Sequence, residues 1–314
     1  MNGYAAAALA VLISASYPVA TRAGVTGSFD PHELVALRFG VGALLFLPYL
    51  LLHLRAIPRG AWLQGVPLTA FQGAGMAALV ICGLQFAPAS HAAALGPGAN
   101  PAWVALFGFI VFARRPSARV VTGVALCASG VLLLVLWSLT GLSASVLAGD
   151  AMFLAASALG ALYVLQMRSW GVNAIQAAAI VSLYSALIVV PCCLWYCPEP
   201  LWRVAPRELL WQALWQGVLI GCVSFVALNH AIARLGAERS SALAALVPVV
   251  SAALGIAFLD EIPSLAETAA FLTISAGVTI AAMRAAPSGG QPGGHQRVDE
   301  AHGMRAGAAG IARS

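Results

Sequence analysis

Lysine is absent from the 314-residue chain, and all 16 basic residues are arginine. That excludes two kinds of chemistry. A Walker-type nucleotide loop needs its lysine on the phosphates, and imine catalysis needs a lysine amine. Charge of either sign is scarce, at 9% of residues, where a soluble domain carries about a quarter. So few charges cannot cover a water-facing surface, and most of the surface must meet lipid. Grouped acids, bases and metal ligands are lacking too. No His-Glu-x-x-His, paired Asp/Glu motif or histidine cluster falls in the apolar stretches, which argues against a membrane enzyme. Rings of charge and carbonyl-filter motifs of a channel are not found either. Met1 to Tyr4 carries no basic side chain ahead of apolar residues 5–14, so the first apolar stretch reads as a retained helix and not a signal peptide.

Apolar residues make up 61% of the chain, and the mean hydropathy is +0.89. A hydrocarbon core about 30 Å thick needs roughly 20 apolar residues per helical span. The fold class expected is all-α integral membrane, with about ten spans near 4–23, 33–54, 62–86, 90–112, 119–138, 149–169, 173–196, 210–233, 240–259 and 265–284. Trp62, Trp137, Trp170, Trp195, Trp202 and Trp211 fall near span ends, where an amphipathic indole prefers to sit. Hydropathy collapses after Arg284, and residues 286–314 read as a disordered tail. The net charge of +5 suits basic loops facing an anionic leaflet and not nucleic acid. Cys192, Cys193 and Cys197 cluster near one span end without a nearby histidine, so neither a metal nor any cofactor is expected.

Pro101 aligns with Pro248 at an offset of 147 residues. In that register Gly108 meets Gly255, Pro116 meets Pro263, and Gly130-Val131 meets Gly277-Val278. The chain divides into repeats at 1–142 and 143–285, each of about five spans. An odd number of spans inverts the second repeat, so a cytoplasmic loop in one half must face outward in the other. Arg114, Arg115 and Arg119 in the first half are replaced by Asp260, Glu261 and Glu267 in the second, as the positive-inside rule demands. With the N-terminus inside, Arg55, Arg59, Arg168, Arg234 and Arg239 are cytoplasmic, while Arg22, Arg203 and Arg207 lie outside. Both termini are expected in the cytoplasm of a cell whose cytoplasmic membrane the chain crosses many times. Inverted repeats mark secondary transporters, which bind solute at the repeat interface near the midplane.

The segment LGAERSSALAALVPVVSAALGIAFLDEIPS, residues 235–264, resembles the motif of EamA-type transporters of the drug/metabolite transporter superfamily. PASHAAALGPGANPAWVALFGFIVFARRPS, residues 88–117, resembles the same unit, and Arg38 in LVALRFGVGALLFL sits where that family often has an arginine. The resemblance covers about residues 4–284. It implies two inverted five-helix repeats around a central cavity and movement of small organic solutes, often amino acids or related metabolites, frequently as export. The family's first half usually ends its fourth helix with Glu, where this chain has Arg114, leaving that role to Glu261.

Polar groups in hydrocarbon usually face the bundle interior. Arg38 lies roughly 8 Å into its span. It either snorkels to the interface or binds a substrate carboxylate and helps close an outer gate. Gln72, Tyr163, Gln166, Asn229 and His230 are interhelical hydrogen-bonding groups or substrate contacts, as is Gln85. His91 is either an ordinary polar residue at a span start or a group protonated during transport. The run Gly96-Pro97-Gly98-Ala99-Asn100-Pro101 breaks a helix, as a packed kink or as carbonyls lining a cavity. Pro248 is its repeat mate. Gly217 and Gly221 form a GxxxG spacing read as packing. The partners expected are the bilayer and a small-molecule substrate, with a homodimer the assembly left open.

Overall fold

The computed structural model describes residues 2–112, 117–141, 144–170, 174–196, 203–235, 240 and 243–282. Arg114, Arg115, Cys197, Trp202, Arg239 and the 286–314 tail lie outside them, as do the side chains of Arg168 and Asn229. The elements are helical: α1 (Gly3–Val25), α2 (Pro31–His53), α3 (Arg59–Gln72), α4 (Ala74–Phe86), α5 (Ala89–Leu95), α6 (Asn100–Phe112) and α7 (Ala118–Gly141) form the first half. The second half holds α8 (Ala144–Trp170), α9 (Ala174–Tyr196), α10 (Pro206–Ala213), a π-helical stretch (Leu214–Val223), α11 (Ser224–Leu235), α12 (Val247–Leu259) and α13 (Leu265–Ala282). Eight stretches are long and apolar enough to cross a membrane, and α12 and α13 are shorter apolar helices. These ten helical segments fall at the places where hydropathy predicts ten spans.

Local chemistry sets the helix ends. The Asn2 side chain accepts from the Tyr4 N–H at 2.7 Å, satisfying one of the donors that a helix start leaves free. Asp30 and Glu33 form a capping box at α2, with Pro31 in the first turn, where its missing N–H costs nothing. Ser264 and Glu267 make the equivalent box at α13: the Ser264 N–H donates to Glu267 Oε2 and the Glu267 N–H to Ser264 Oγ. Asp260 ends α12 in the left-handed conformation (φ 56°). That turn brings the Glu261 N–H back to Gly255 O at 3.2 Å.

Packing follows the repeat. The α3–α4 span packs on α8, and α1 packs on α11. The α6 helix packs on α8, and α12 on α1; α3 packs on α9, and the π stretch on α2. Each of these pairs becomes the other when the halves are exchanged. The contacts of α2 with α9 and of α7 with α13 map onto themselves. Gly130 and Gly277, mates at the 147-residue offset, sit in the α7–α13 contact. A Cβ on Gly130 would meet Ala270 O and Ile274, and one on Gly277 would meet Cys127 and Gly123 O. Small residues let the two backbones approach where lipid offers no hydrophobic drive for association.

Three spans are broken. The third is interrupted at Gly73, where the Ala74 N–H donates to Ser185 Oγ of α9 at 3.2 Å. The fourth is interrupted at Gly96–Ala99, and the ninth carries a turn at Ala245-Leu246 just before α12, the repeat-related place. Pro101 and Pro248 each fall on the second residue of a restarted helix. They begin helices where a mid-helix kink was expected, because a first-turn proline loses no hydrogen bond. Gly217 packs on Val41, but Gly221 meets only its own helix at Gln216 O. Of the GxxxG spacing, Gly217 alone makes the close interhelical approach.

Candidate functional site

Three charged groups join the halves at one end of the bundle. Arg22, at the end of α1, pairs through Nε with Glu261 Oε1. Its Nη1 donates to Leu84 O at 2.6 Å and Ala87 O at 2.8 Å, so it closes the carbonyl end of α4. The other Glu261 oxygen accepts from the Ala89 N–H at 3.0 Å, at the positive start of α5. The loop between the third and fourth spans is thus held by one residue from each half.

His91, on α5, is fully buried. Its Nδ1 lies 2.8 Å from Asp150 Oδ1 of α8, and its Nε2 lies 3.0 Å from Glu267 Oε1 of α13. Against two ionised carboxylates, which only accept, both ring nitrogens must donate, and only the doubly protonated ring has two N–H groups. The Phe271 ring stands edge-on at 6.2 Å. Arg203 completes the set, with Nη1 donating to Glu33 Oε1 at 2.8 Å and Nη2 to Glu33 Oε2 at 3.2 Å. Glu33 is fully buried. In every case a first-half residue meets a second-half residue.

Deeper in the bundle the polar groups are neutral. Asn100 Nδ2 donates to Ser157 O at 3.2 Å, and Ser157 Oγ donates to Gly96 O at 2.6 Å. The hydroxyl satisfies a carbonyl that the broken helix leaves free. A Cβ built on Gly160 would lie 3.4 Å from Asn100 Nδ2, 3.7 Å from Gln72 Oε1 and 3.9 Å from Met76. The two helix breaks therefore converge on Gly160, bringing Gln72 and Asn100 together. Tyr163 lies one turn further along α8 and packs with Leu68, Ala177 and Val181. Gln166 has a partner within the protein.

Arg38 stands on α2 with its guanidinium carbon 4.9 Å from the centre of the Tyr17 ring and 5.9 Å from that of Phe39. Its Nη1 is buried and has no hydrogen-bond partner. Aromatic faces hold a cation but accept no directed hydrogen bond from every N–H. His230 and Asn229 are on α11, which packs against α1. His230 has a partner within the protein, and the Asn229 side chain lies outside the described residues. A groove of about 870 Å³ runs between the α1–α2 turn and α10, past Gly24, Phe29, Arg207 and Trp211; none of the substrate-contact or gating residues expected from sequence lines it. Cys192 is a free cysteine, and no metal-binding group of His, Cys, Asp and Glu occurs among the described residues.

Sequence reasoning placed His91 and Glu261 on the path but missed Asp150, Glu33 and the pairing of Arg22 and Arg203. A signal was available. The charge pattern expected from sequence puts three arginines outside, Arg22, Arg203 and Arg207, against the positive-inside tendency. An arginine that defies that rule is accounted for when a carboxylate holds it.

No curated protein matches the chain in sequence. A solved crystal structure, described only as a protein, superposes with a TM-score of 0.59. The match covers 89% of this chain and 96% of that one at 20% identity, which shows a shared fold. The description of the EamA-like transporter family matches twice, over residues 1–136 and 147–283, in step with the 147-residue offset. A double match over nearly the whole chain, on a helical bundle whose contacts exchange between halves, settles the family: the chain belongs to the EamA-like transporters and is a multi-pass membrane transporter.

Proposed function

We propose that the protein is a secondary transporter moving small organic metabolites that carry a carboxylate, amino acids or related compounds, out of the cytoplasm by alternating access. The observation that carries this is Arg38. A buried guanidinium N–H without a partner is costly, and a solute carboxylate would satisfy it with a charge-assisted bond. The neutral groups converging on Gly160 supply amide donors and acceptors for the rest of the solute. The two broken helices that meet at Gly160 suit a site at the repeat interface.

The charged end is the outer mouth in this reading, with both termini cytoplasmic. Arg55, Arg59, Arg119 and Arg234 are then on the cytoplasmic side and exposed, in line with positive-inside. The mouth is shut by the pairs of Arg22, His91 and Arg203. A gap of about 60 Å³ between Ala10, Ser14, Leu228 and Val247 has room for a water or two at about 30 Å³ each, and not for a metabolite.

The test is flux. Purified protein in liposomes is screened with radiolabelled amino acids and related carboxylates, in both directions across the bilayer. Saturable, counterflow-stimulated movement of one solute class is expected. Flux that rises linearly with concentration would show a channel, and consumption of solute in detergent would show an enzyme; either result overturns the reading.

A further inference from the structure

We propose that His91, Asp150 and Glu267 form a proton-binding site shared by the two halves, whose occupied state holds the outer mouth shut and whose proton is released when that mouth opens. The inference rests on the transporter reading and adds to it the ion that drives the cycle.

The geometry carries it. His91 comes from the first half, and both carboxylates come from the second. The ring is sealed from water, so its proton cannot exchange while the mouth is shut. A neutral imidazole has one N–H and one lone pair. It can serve Asp150 or Glu267 but not both, and the other carboxylate would face a lone pair in a dry site, which is strongly unfavourable. The closed arrangement therefore requires the proton. Opening moves α5 away from α8 and α13 and exposes the ring to the outer water, where the proton leaves and the carboxylates are hydrated. A state that binds the proton more tightly is favoured by acid and disfavoured by base. Acid on the outer side shuts the mouth, and alkali opens it.

The surrounding charges do not substitute for that proton. From α1, Arg22 is engaged with Glu261 and with the Leu84 and Ala87 carbonyls. Glu261, beyond α12, is engaged with Arg22 and the Ala89 N–H. Asp260 precedes it, exposed, at the end of α12. Glu267 Oε2 is taken by the Ser264 N–H. No charged side chain occurs on α4. Of the groups packed around α5, His91 alone changes charge near neutral pH from its ordinary chemistry. His91 lies in the first turn of α5, just after the reversal between the third and fourth spans, so its movement would also shift the Gly96–Ala99 break.

The experiment needs no solute. Spin labels are placed on Ser28→Cys and Leu265→Cys, exposed positions on opposite halves at this mouth, in a full-length chain freed of native cysteines. Distances are measured in liposomes at about pH 5 and about pH 10, either side of the ordinary histidine range. A narrow distribution is expected in acid, with a longer population rising several-fold in alkali. His91→Gln should show the longer population at both pH values. Should His91→Gln not fold, Asp150→Asn is expected to keep one hydrogen bond and show the longer population at a lower pH than the parent. Distances that do not change with pH in the parent, or a pH shift retained in full by His91→Gln or unmoved by Asp150→Asn, would overturn the proposal. Failure here leaves the flux assay untouched, and absence of flux leaves the distances interpretable.

Discussion

Arg22 and Arg38 are both arginines one helix turn or more inside the bundle, and they are held in opposite ways. Arg22 meets a carboxylate and two carbonyls from neighbouring elements. Arg38 meets two aromatic faces and keeps a buried N–H with no acceptor. The first arrangement is complete without a ligand, so Arg22 holds the protein's own parts together. The second is completed by an anion from outside. The same contrast separates the two polar regions. The charged end of the bundle carries full charges paired between halves, while the region around Gly160 offers neutral groups arranged by broken helices.

The largest expected effect breaks the complete arrangement. Arg22→Met leaves Glu261 and two carbonyls without their donor, and stability should fall by about 3 kcal/mol, read as a lower melting temperature in detergent. Adding Glu261→Met should recover part of the loss, because no unpaired carboxylate then remains.

Arg38→Ala should do the reverse. The melting temperature should stay close to that of the parent, while flux of a carboxylate solute drops on the order of tenfold to a hundredfold, since a hydrogen bond to a charged group contributes about 1.5–3 kcal/mol. Arg38→Lys should keep the charge but lose planar pairing, giving an intermediate flux. A large fall in stability for Arg38→Ala would erase the contrast with Arg22.

Gly160→Val tests the neutral region. Its added methyl groups enter the space between Gln72 and Asn100, so flux should fall with little change in folding. Ser157→Ala should give the smallest effect. It removes the hydroxyl on Gly96 O at about 1 kcal/mol, read as a modest drop in melting temperature.

Much of the fold was legible in sequence because lipid makes it so. Spans need long apolar runs, and inverted halves reverse the charge of a loop, so Arg119 and Glu267 mark opposite faces. The Gly96–Pro101 break was legible because proline and glycine act on the backbone locally. The break at Gly73 was not, since a single glycine in an apolar run gives no sign of Ser185 waiting on α9 to take the Ala74 N–H. The partners of His91 were hidden for a similar reason. Asp150 and Glu267 lie 59 and 176 residues away, and nothing local says that two helix starts will meet one ring. Gln72 and Asn100 were expected as polar groups on the path; their meeting at Gly160 depended on both breaks.

The central claim is that the mouth closed by Arg22 and Glu261 must open for solute to cross. In a chain freed of native cysteines, Arg22→Cys and Glu261→Cys are joined by a short bifunctional thiol reagent that a reducing agent cleaves, and flux is measured before linking, after linking and after cleavage. The account predicts that linking abolishes flux and cleavage restores it. Unchanged flux with the halves covalently joined at this mouth would contradict it.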